Sequence, residues 1–281
     1  MKILTQKQRV LMMVLDEMSR RGIKSRLFMI KSLFLLKKEE NVGKAIKFYY
    51  FFPYKYGPFS FTSYDDIARL QKNGFLTADM KVTAKGRMEA SKVKDMRQKA
   101  ANTVSRFKSK DEIKNYVYEK YPEYTVKSEL SKANNILPGN GIFTIGYEGH
   151  DIDSFLDVLV RNGIDTIIDT RFNPFSMNFD FVQSKLARKL SMAGIEYIHI
   201  KPLGIDGNDR KALESKKDYE RLFASYRSRI QKENAGELGR IVSIARKKRV
   251  ALLCFEKDKN MCHRGIISEE LEKTGLKVAH L

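Results

Sequence analysis

The first part of the chain has apolar residues at helical spacing. They recur every three or four positions over residues 5–21, where Gly22 ends the run, and again over residues 27–34. A third stretch of the same kind covers residues 62–73 and stops at Gly74. These patterns predict three amphipathic helices.

Between and after these helices the pattern changes to short extended segments. The aromatic run KFYYFFP at residues 47–53 predicts a strand, and residues 75–86 predict a two-stranded wing. Helices followed by a small hairpin indicate a winged helix-turn-helix-like domain over residues 1–97. Residues 98–140 are charged and helical in pattern, and we interpret them as a helical connector.

The second half alternates apolar strands with helices. The strands are predicted at residues 142–145, 166–168, 196–200, 250–255 and 277–281. Strands that alternate with helices indicate a mainly parallel sheet with helices on its faces. We therefore expect an α/β chain whose second domain, residues 141–281, has a Rossmann-like fold with five strands.

Composition narrows the class of protein. Hydrophobic residues make up 42% of the 281 positions, which is enough for a packed core. The longest apolar runs are too short to cross a bilayer, and the amino terminus lacks the apolar segment of a secretory signal. Two cysteines, Cys254 and Cys262, are too few for a disulfide framework. We expect a cytoplasmic protein that binds no membrane.

Charge is concentrated in the first half. The net charge of the chain is +19, of which residues 1–140 carry +15 (29 Lys and Arg against 14 Asp and Glu). Residues 141–281 carry +4, with 24 basic against 20 acidic residues. This asymmetry favours a nucleic-acid-binding first domain, with DNA preferred over RNA as the partner. A solvated lysine-rich surface remains the alternative.

Polar residues follow several of the predicted strands. Ligands of parallel sheets bind beyond the carboxyl ends of the strands, so these residues predict a site. The candidate catalytic residues are the carboxylates Asp169, Glu256 and Glu148. The candidate substrate-binding residues are Tyr147, Arg171, Phe175, Cys262, His263 and Arg264.

The candidate roles leave alternatives open. Arg171 and Arg264 would grip a phosphate, although Arg171 could equally form a buried ion pair with Asp169 or Glu256. A helix amino terminus would lower the pKa of Cys262 and favour its thiolate. The spacing of Cys254, Cys262 and His263 matches no ordinary zinc finger or ribbon, so we expect no metal. Neither a Gly-x-Gly-x-x-Gly turn nor a Walker loop is present, so we expect no cofactor.

The first half resembles a known family. The stretch YKYGPFSFTSYDDIARLQKNGFL at residues 54–76, with KVTAKGR at residues 81–87, is similar to SocA-like (Panacea-type) antitoxin domains. The resemblance implies a winged-helix-like fold of a kind often found beside toxins or defence genes. It also implies that a protein partner of this domain is an alternative to DNA.

The second half resembles another family. TIGYEG at residues 144–149, IIDTRFNPFS at 167–176, GIEYIHIKPLG at 194–204 and ALLCFEKDKNMCHRGIISEEL at 251–271 are similar to motifs of the domain of unknown function 488 family. The resemblance implies a compact Rossmann-like domain without an assigned reaction. The commoner version of the family has Gly-His-Ser where this chain has Gly146-Tyr147-Glu148.

Together these features predict a DNA-processing enzyme. The leading hypothesis is a cofactor-independent hydrolase that cleaves the N-glycosidic bond of a DNA base, in repair or in defence against foreign DNA. Asp169 and Glu256 would activate water, and aromatic side chains such as Phe175 would stack on an extruded base. The alternatives are a non-catalytic DNA-binding regulator or antitoxin-like protein, and a metal-dependent nuclease.

Overall fold

A computed structural model describes residues 4–129, 139–210 and 215–281. The chain forms two compact units, residues 1–135 and residues 136–281. Within the described ranges, no helix combines the length and the apolar character that crossing a membrane requires.

The first unit is mainly helical. Its helices in the described part are α1 (Gln6–Arg20), α2 (Arg26–Lys38), α3 (Val42–Ala45), α4 (Phe61–Lys72), α5 (Ala84–Ala90), α6 (Arg97–Ser105) and α7 (Lys110–Lys120). Helices α1 and α2 begin where the side chains of Thr5 and Ser25 accept hydrogen bonds from backbone N–H groups in the first turn. The two helices supply much of the core, since Leu11, Phe28 and Leu33 are fully buried.

The extended segments of this unit differ from the expectation. The strands β1 (Phe52–Tyr54) and β2 (Gly57–Phe59) form an antiparallel hairpin before α4. The predicted wing at residues 75–86 is reduced to an isolated bridge between Leu76 and Val82. Its last three residues, 84–86, are helical, because Thr83 caps the amino terminus of α5. The winged-helix assignment stays a prediction.

The segment interpreted as a connector, residues 98–140, is part of the first unit as far as its helices extend. Helix α6 packs on α1, and α7 packs on α2. Val104 and Val117 are fully buried in the same core as those helices. Glu39, at the end of α2, also accepts a hydrogen bond from Tyr116 of α7. The apolar faces of α6 and α7 therefore cover this core, which corrects the connector interpretation.

The second unit contains a five-stranded parallel sheet, which confirms the predicted α/β class. Its strands are β3 (Gly141–Gly146), β4 (Thr166–Asp169), β5 (Glu196–His199), β6 (Arg249–Cys254) and β7 (Val278–His280). They lie in the order β5-β4-β6-β3-β7, and every neighbouring pair is parallel. The central strand β6 is an apolar run whose residues 250–254 are all buried, as expected where both faces are covered.

Helices connect these strands. They are α8 (Ile152–Arg161), α9 (Gln183–Met192), α10 (Lys216–Lys232), α11 (Ala235–Ala245) and α12 (His263–Glu272). Residues of α10, α11 and α12 pack with Ile168, Val250 and Leu252 in one hydrophobic core. The chain leaves β4 toward β5 on one side and leaves β6 toward β7 on the other. Parallel sheets bind ligands in the crevice that such a reversal opens, here between the carboxyl ends of β4 and β6.

Candidate functional site

A pocket of about 540 Å³ lies at the carboxyl ends of β3, β4 and β6, and we call it the strand-end pocket. This is the crevice expected from the sheet order, and its volume is in the usual range for small-ligand sites. Of the residues predicted from the sequence, those lining it are Tyr147, Glu148, Arg171, Phe175, Glu256 and His263. Asp169, Cys262 and Arg264 do not line it.

The backbone after β6 is held tightly against the end of β3. Gly146 lies opposite Cys254 in the sheet, and a Cβ atom at Gly146 would lie 1.8 Å from the carbonyl oxygen of Glu256. Only a glycine allows this approach. The backbone N–H of Glu148 donates to the carbonyl of Phe255 at 2.9 Å, and its carboxylate accepts from the N–H of Lys257 at 2.9 Å. These contacts position Glu256 at the pocket.

Arg264 holds the same segment from the other side. It is the second residue of α12 and only 2% exposed. Its guanidinium donates to the carbonyl oxygen of Glu256, and to that of Lys257 at 2.7 Å. These contacts indicate that Arg264 holds the loop. They favour this role of Arg264 and disfavour the predicted role in phosphate binding.

Asp169 and Arg171 form a buried ion pair. The carboxylate of Asp169 accepts from Arg171 Nε at 2.9 Å and from Arg171 Nη2 at 2.5 Å. It also accepts from the hydroxyl of Tyr197 at 2.6 Å. Asp169 is fully buried, so its carboxylate is held in this pair instead of facing the pocket. Of the two roles open for Arg171, the geometry favours the ion pair.

Tyr147 supports this pair from the pocket side. Its ring is stacked on Phe181, with the centroids 4.2 Å apart, and Tyr147 is only 4% exposed. Arg171 Nη1 donates to the Tyr147 hydroxyl at 3.2 Å and to the carbonyl of Phe181 at 3.0 Å. The ring thus forms part of the pocket wall, with one face already covered by Phe181.

Two aromatic side chains are exposed at the mouth of the pocket. Phe175 is 65% exposed and Phe255 is 48% exposed, and both line the pocket. Large apolar side chains that line a concave site and remain in water are available for a ligand. They are the residues of the site best placed to stack on a planar group.

A cysteine–histidine cluster lies beside Glu256. The ligand atoms of Cys254, Cys262 and His263 lie within 4.8 Å of one another, and all three residues are buried. With no metal bound, burial, and then the neighbouring Cys254, raise the pKa of the Cys262 thiol well above its ordinary value, so the helix amino terminus alone does not hold it as a thiolate. Among the described residues, this is the group whose donor atoms could share one metal ion.

Sequence reasoning missed three residues of this region. His150 lines the pocket, Tyr197 binds Asp169, and Phe181 stacks on Tyr147. The sequence carried no signal for Tyr197, because its position relative to Asp169 depends on the register: β5 pairs with β4, and residues two apart on a strand face the same side. Since His199 is the partner of Asp169 in the register, Tyr197 lies on the same face one step back.

Comparison with known proteins gives a match in the second unit and none in the first. No curated protein and no solved structure matches the chain. The resemblance of the first unit to SocA-like antitoxin domains therefore stays a prediction. A family model does match in the second unit, where it covers the pocket residues that follow β4 and β6. Residues 151–271 match the model of the Domain of unknown function DUF488 family, as the motifs in this half of the chain predict.

Proposed function

We propose that this chain is a DNA-processing hydrolase that removes a base by cleaving its N-glycosidic bond, in repair or in defence against foreign DNA. The observation that carries the proposal is the strand-end pocket, which has a carboxylate, Glu256, in its wall and exposed aromatic rings at its mouth. Its volume of about 540 Å³ leaves ample room for one extruded base.

The aromatic rings would bind the base. Phe175 and Phe255 are exposed where the pocket opens, and base–aromatic stacking contributes about 1–3 kcal/mol per base. Stacking tolerates any base because each has a flat π-face. Discrimination between bases would come from polar groups of the pocket wall, among them His150 and Asn173.

Glu256 would activate the water. In this reaction water adds to the sugar carbon, the carboxylate takes up a proton from the water, and the electron pair of the C–N bond leaves with the base. Glu256 takes this role in place of Asp169 because it lines the pocket, whereas Asp169 is held in its buried ion pair. Glu148 holds Lys257 and thereby the loop that carries Glu256.

The first unit would supply the contact with DNA. Residues 1–110 contain 25 Lys and Arg against 9 Asp and Glu, and positive charge of this density favours a phosphate backbone. Its resemblance to antitoxin domains supports a defence setting and makes a protein partner the alternative. If the chain is a non-catalytic DNA-binding regulator, the same charge would serve binding alone.

The test uses the full chain and oligonucleotides that carry each normal base and a panel of modified bases. Abasic sites and released bases are measured over time by alkaline cleavage and mass spectrometry. We expect product from at least one substrate, and a loss of about 10²–10⁴-fold in rate for Glu256→Gln. Glu269→Gln is the matched control, since this exposed carboxylate of α12 lies outside the pocket.

Two results would contradict the proposal. Absence of product on every substrate, with salt-sensitive DNA binding retained, would favour the regulator. Strand breaks without prior abasic sites, abolished by a chelator, would favour the metal-dependent nuclease.

A further inference from the structure

The cysteine–histidine cluster, Cys254, Cys262 and His263, is assembled by one βα connection. Cys254 is the last residue of β6, Cys262 directly precedes α12, and His263 is its first residue. Residues 255–261 return the chain so that the two thiols and the imidazole meet. All three are nearly inaccessible, with exposed fractions of 3%, 1% and 2% in chain order.

The ring of His263 has its donor and acceptor atoms assigned by its surroundings. Nε2 lies 3.0 Å from the carbonyl oxygen of Thr170, which can only accept a hydrogen bond. Nε2 therefore carries the proton, and Nδ1 carries the lone pair. Metal-binding histidines use the same device, in which one ring nitrogen donates to a carbonyl while the other binds the ion.

The lone pair of Nδ1 faces both sulfur atoms. Nδ1 lies 3.7 Å from Cys254 Sγ and 4.0 Å from Cys262 Sγ. A tetrahedral zinc ion with Zn–S bonds of about 2.3 Å and a Zn–N bond of about 2.0 Å separates its ligand atoms by roughly 3.5–3.8 Å. The two N–S distances exceed the zinc value of about 3.5 Å by roughly 0.2 and 0.5 Å, and the two sulfur atoms lie within 4.8 Å of each other, so small shifts would bring all three to the positions that zinc requires.

The type and number of donors also indicate zinc. Two thiolates and one imidazole form a soft donor set that selects zinc over magnesium or calcium, which need oxygen ligands. Structural zinc sites have four protein ligands, whereas catalytic sites have three and leave the fourth position open. Here Cys254 and His263 line the strand-end pocket, and a carboxylate oxygen of Glu256 lies 3.1 Å from Cys254 Sγ.

We propose that Cys254, Cys262 and His263 bind a zinc ion whose fourth position opens into the strand-end pocket beside Glu256. This replaces the expectation that the chain uses no metal. Zinc binding does not depend on the proposed hydrolase activity, because it follows from the donor atoms alone. An ion at this position would hold a water molecule or a substrate atom within reach of Glu256.

The test is the metal content of the full-length chain, purified under reducing conditions from zinc-supplemented cells. We expect one zinc per chain by elemental mass spectrometry. Cys254→Ser, Cys262→Ser and His263→Gln should each lower the zinc affinity by at least about tenfold. His150→Gln is the matched control, because His150 lines the same pocket outside the cluster.

Cobalt provides a second readout on the unaltered chain, which keeps the test valid if a serine variant fails to fold. Cobalt(II) in the zinc-free protein should give the sulfur-to-metal charge-transfer absorption and the visible bands of a tetrahedral thiolate site. Lack of both stoichiometric zinc and these bands, with both thiols reduced, would overturn the proposal. So would zinc that persists in all three ligand variants, or a Cys254–Cys262 disulfide that binds no metal after reduction. The zinc and cobalt measurements use no DNA substrate. A negative result would therefore overturn the zinc site without bearing on the proposed hydrolase activity.

Discussion

Asp169 and Arg171 neutralise each other inside the second unit. The ion pair is almost completely buried, with the side chains 0% and 6% exposed. Two further groups, the hydroxyl of Tyr197 and the carbonyl of Phe181, bind the carboxylate and the guanidinium respectively. A pair of this kind stabilises the end of β4 only as long as both partners are present.

Removal of one partner should therefore destabilise the second unit. We expect Asp169→Asn to lower the free energy of unfolding of the second unit by about 3–5 kcal/mol, because Arg171 would remain buried without a counter-charge. Native-state hydrogen exchange of the amides of β4 and β6 measures this for the second unit alone. The control is Lys248→Met, which breaks a half-exposed pair with Glu196 and should cost at most about 1 kcal/mol. Equal effects of both changes would contradict the prediction.

Gly146 should not tolerate a side chain. A Cβ atom would lie 1.8 Å from the carbonyl oxygen of Glu256, so Gly146→Ala must displace the loop that carries Glu256. We expect a loss of about 1–3 kcal/mol in the free energy of unfolding and a fall in any activity that needs Glu256. Urea denaturation followed by circular dichroism measures the first effect.

Gly239 provides the comparison for that change. It lies within α11, and a Cβ atom there has no atom within 4 Å. Gly239→Ala should therefore stabilise the protein by about 0.5–1 kcal/mol, because alanine has less backbone freedom to lose in a helix. A Gly146→Ala protein that is as stable as the wild type, with its pocket unchanged, would contradict the prediction.

Lys31 should make the stability of the first unit increase with pH in the alkaline range. Burial lowers the pKa of Lys31 from 10.5 to about 7, and its ammonium donates to the carbonyl oxygens of Tyr56 and Pro58. Between pH 7 and pH 10.5 the unfolded chain holds this proton more tightly than the folded one. Stability should thus rise with pH over this range, with a contribution of at most about 1.4 kcal/mol per pH unit.

The contribution of Lys31 is isolated by difference. Lys31→Met removes the titrating group, so the difference in unfolding free energy between wild type and variant should grow from pH 7 to pH 10. The unsatisfied carbonyls of Tyr56 and Pro58 add a cost that is the same at every pH. A difference that stays constant with pH would contradict the assigned direction.

Salt should weaken binding of DNA to the first unit. We expect the logarithm of the binding constant to fall linearly with the logarithm of the salt concentration, with a slope of about −0.9 for each phosphate neutralised. Lys24→Gln and Lys72→Gln, which alter exposed lysines of this unit, should make the slope shallower. Lys277→Gln, an exposed lysine of the second unit, is the control. Fluorescence anisotropy measures the slope, and a flat wild-type response would exclude DNA as the partner.

The parallel sheet of the second unit could be predicted because short, mostly apolar runs at β3, β4 and β6 alternate with helices. The order of the strands could not, since it depends on which neighbours β6 meets when it enters between β4 and β3. The sequence leaves open whether Arg171 pairs with Asp169 or binds a ligand, and the burial of the pair favours the first role. A single sequence does not reveal burial at a strand end, where polar residues are normal.

The spacing of the residues in the cysteine–histidine cluster matches no ordinary zinc motif, so the sequence alone does not predict a zinc site there. The three residues meet through a loop of seven residues that folds back on Gly146, and no short motif encodes this path. In the first unit, the local sequence pattern did not predict the hairpin. The aromatic residues Tyr49 and Phe51 pack into the helical core without forming a strand, and the turn at Gly57 is held by the buried amine of Lys31.

The loop after β6 is held by its main chain: Gly146, Glu148 and Arg264 all contact backbone atoms of residues 255–257. The outward side chains Phe255 and Lys257 take no part in these contacts. Of the two, Phe255 lines the pocket, so a change there alters the pocket opening and leaves these backbone contacts in place. If the chain is the hydrolase proposed above, base selectivity and the position of Glu256 could thus be varied separately, and the loop would be a starting point for directed evolution of new substrate preferences.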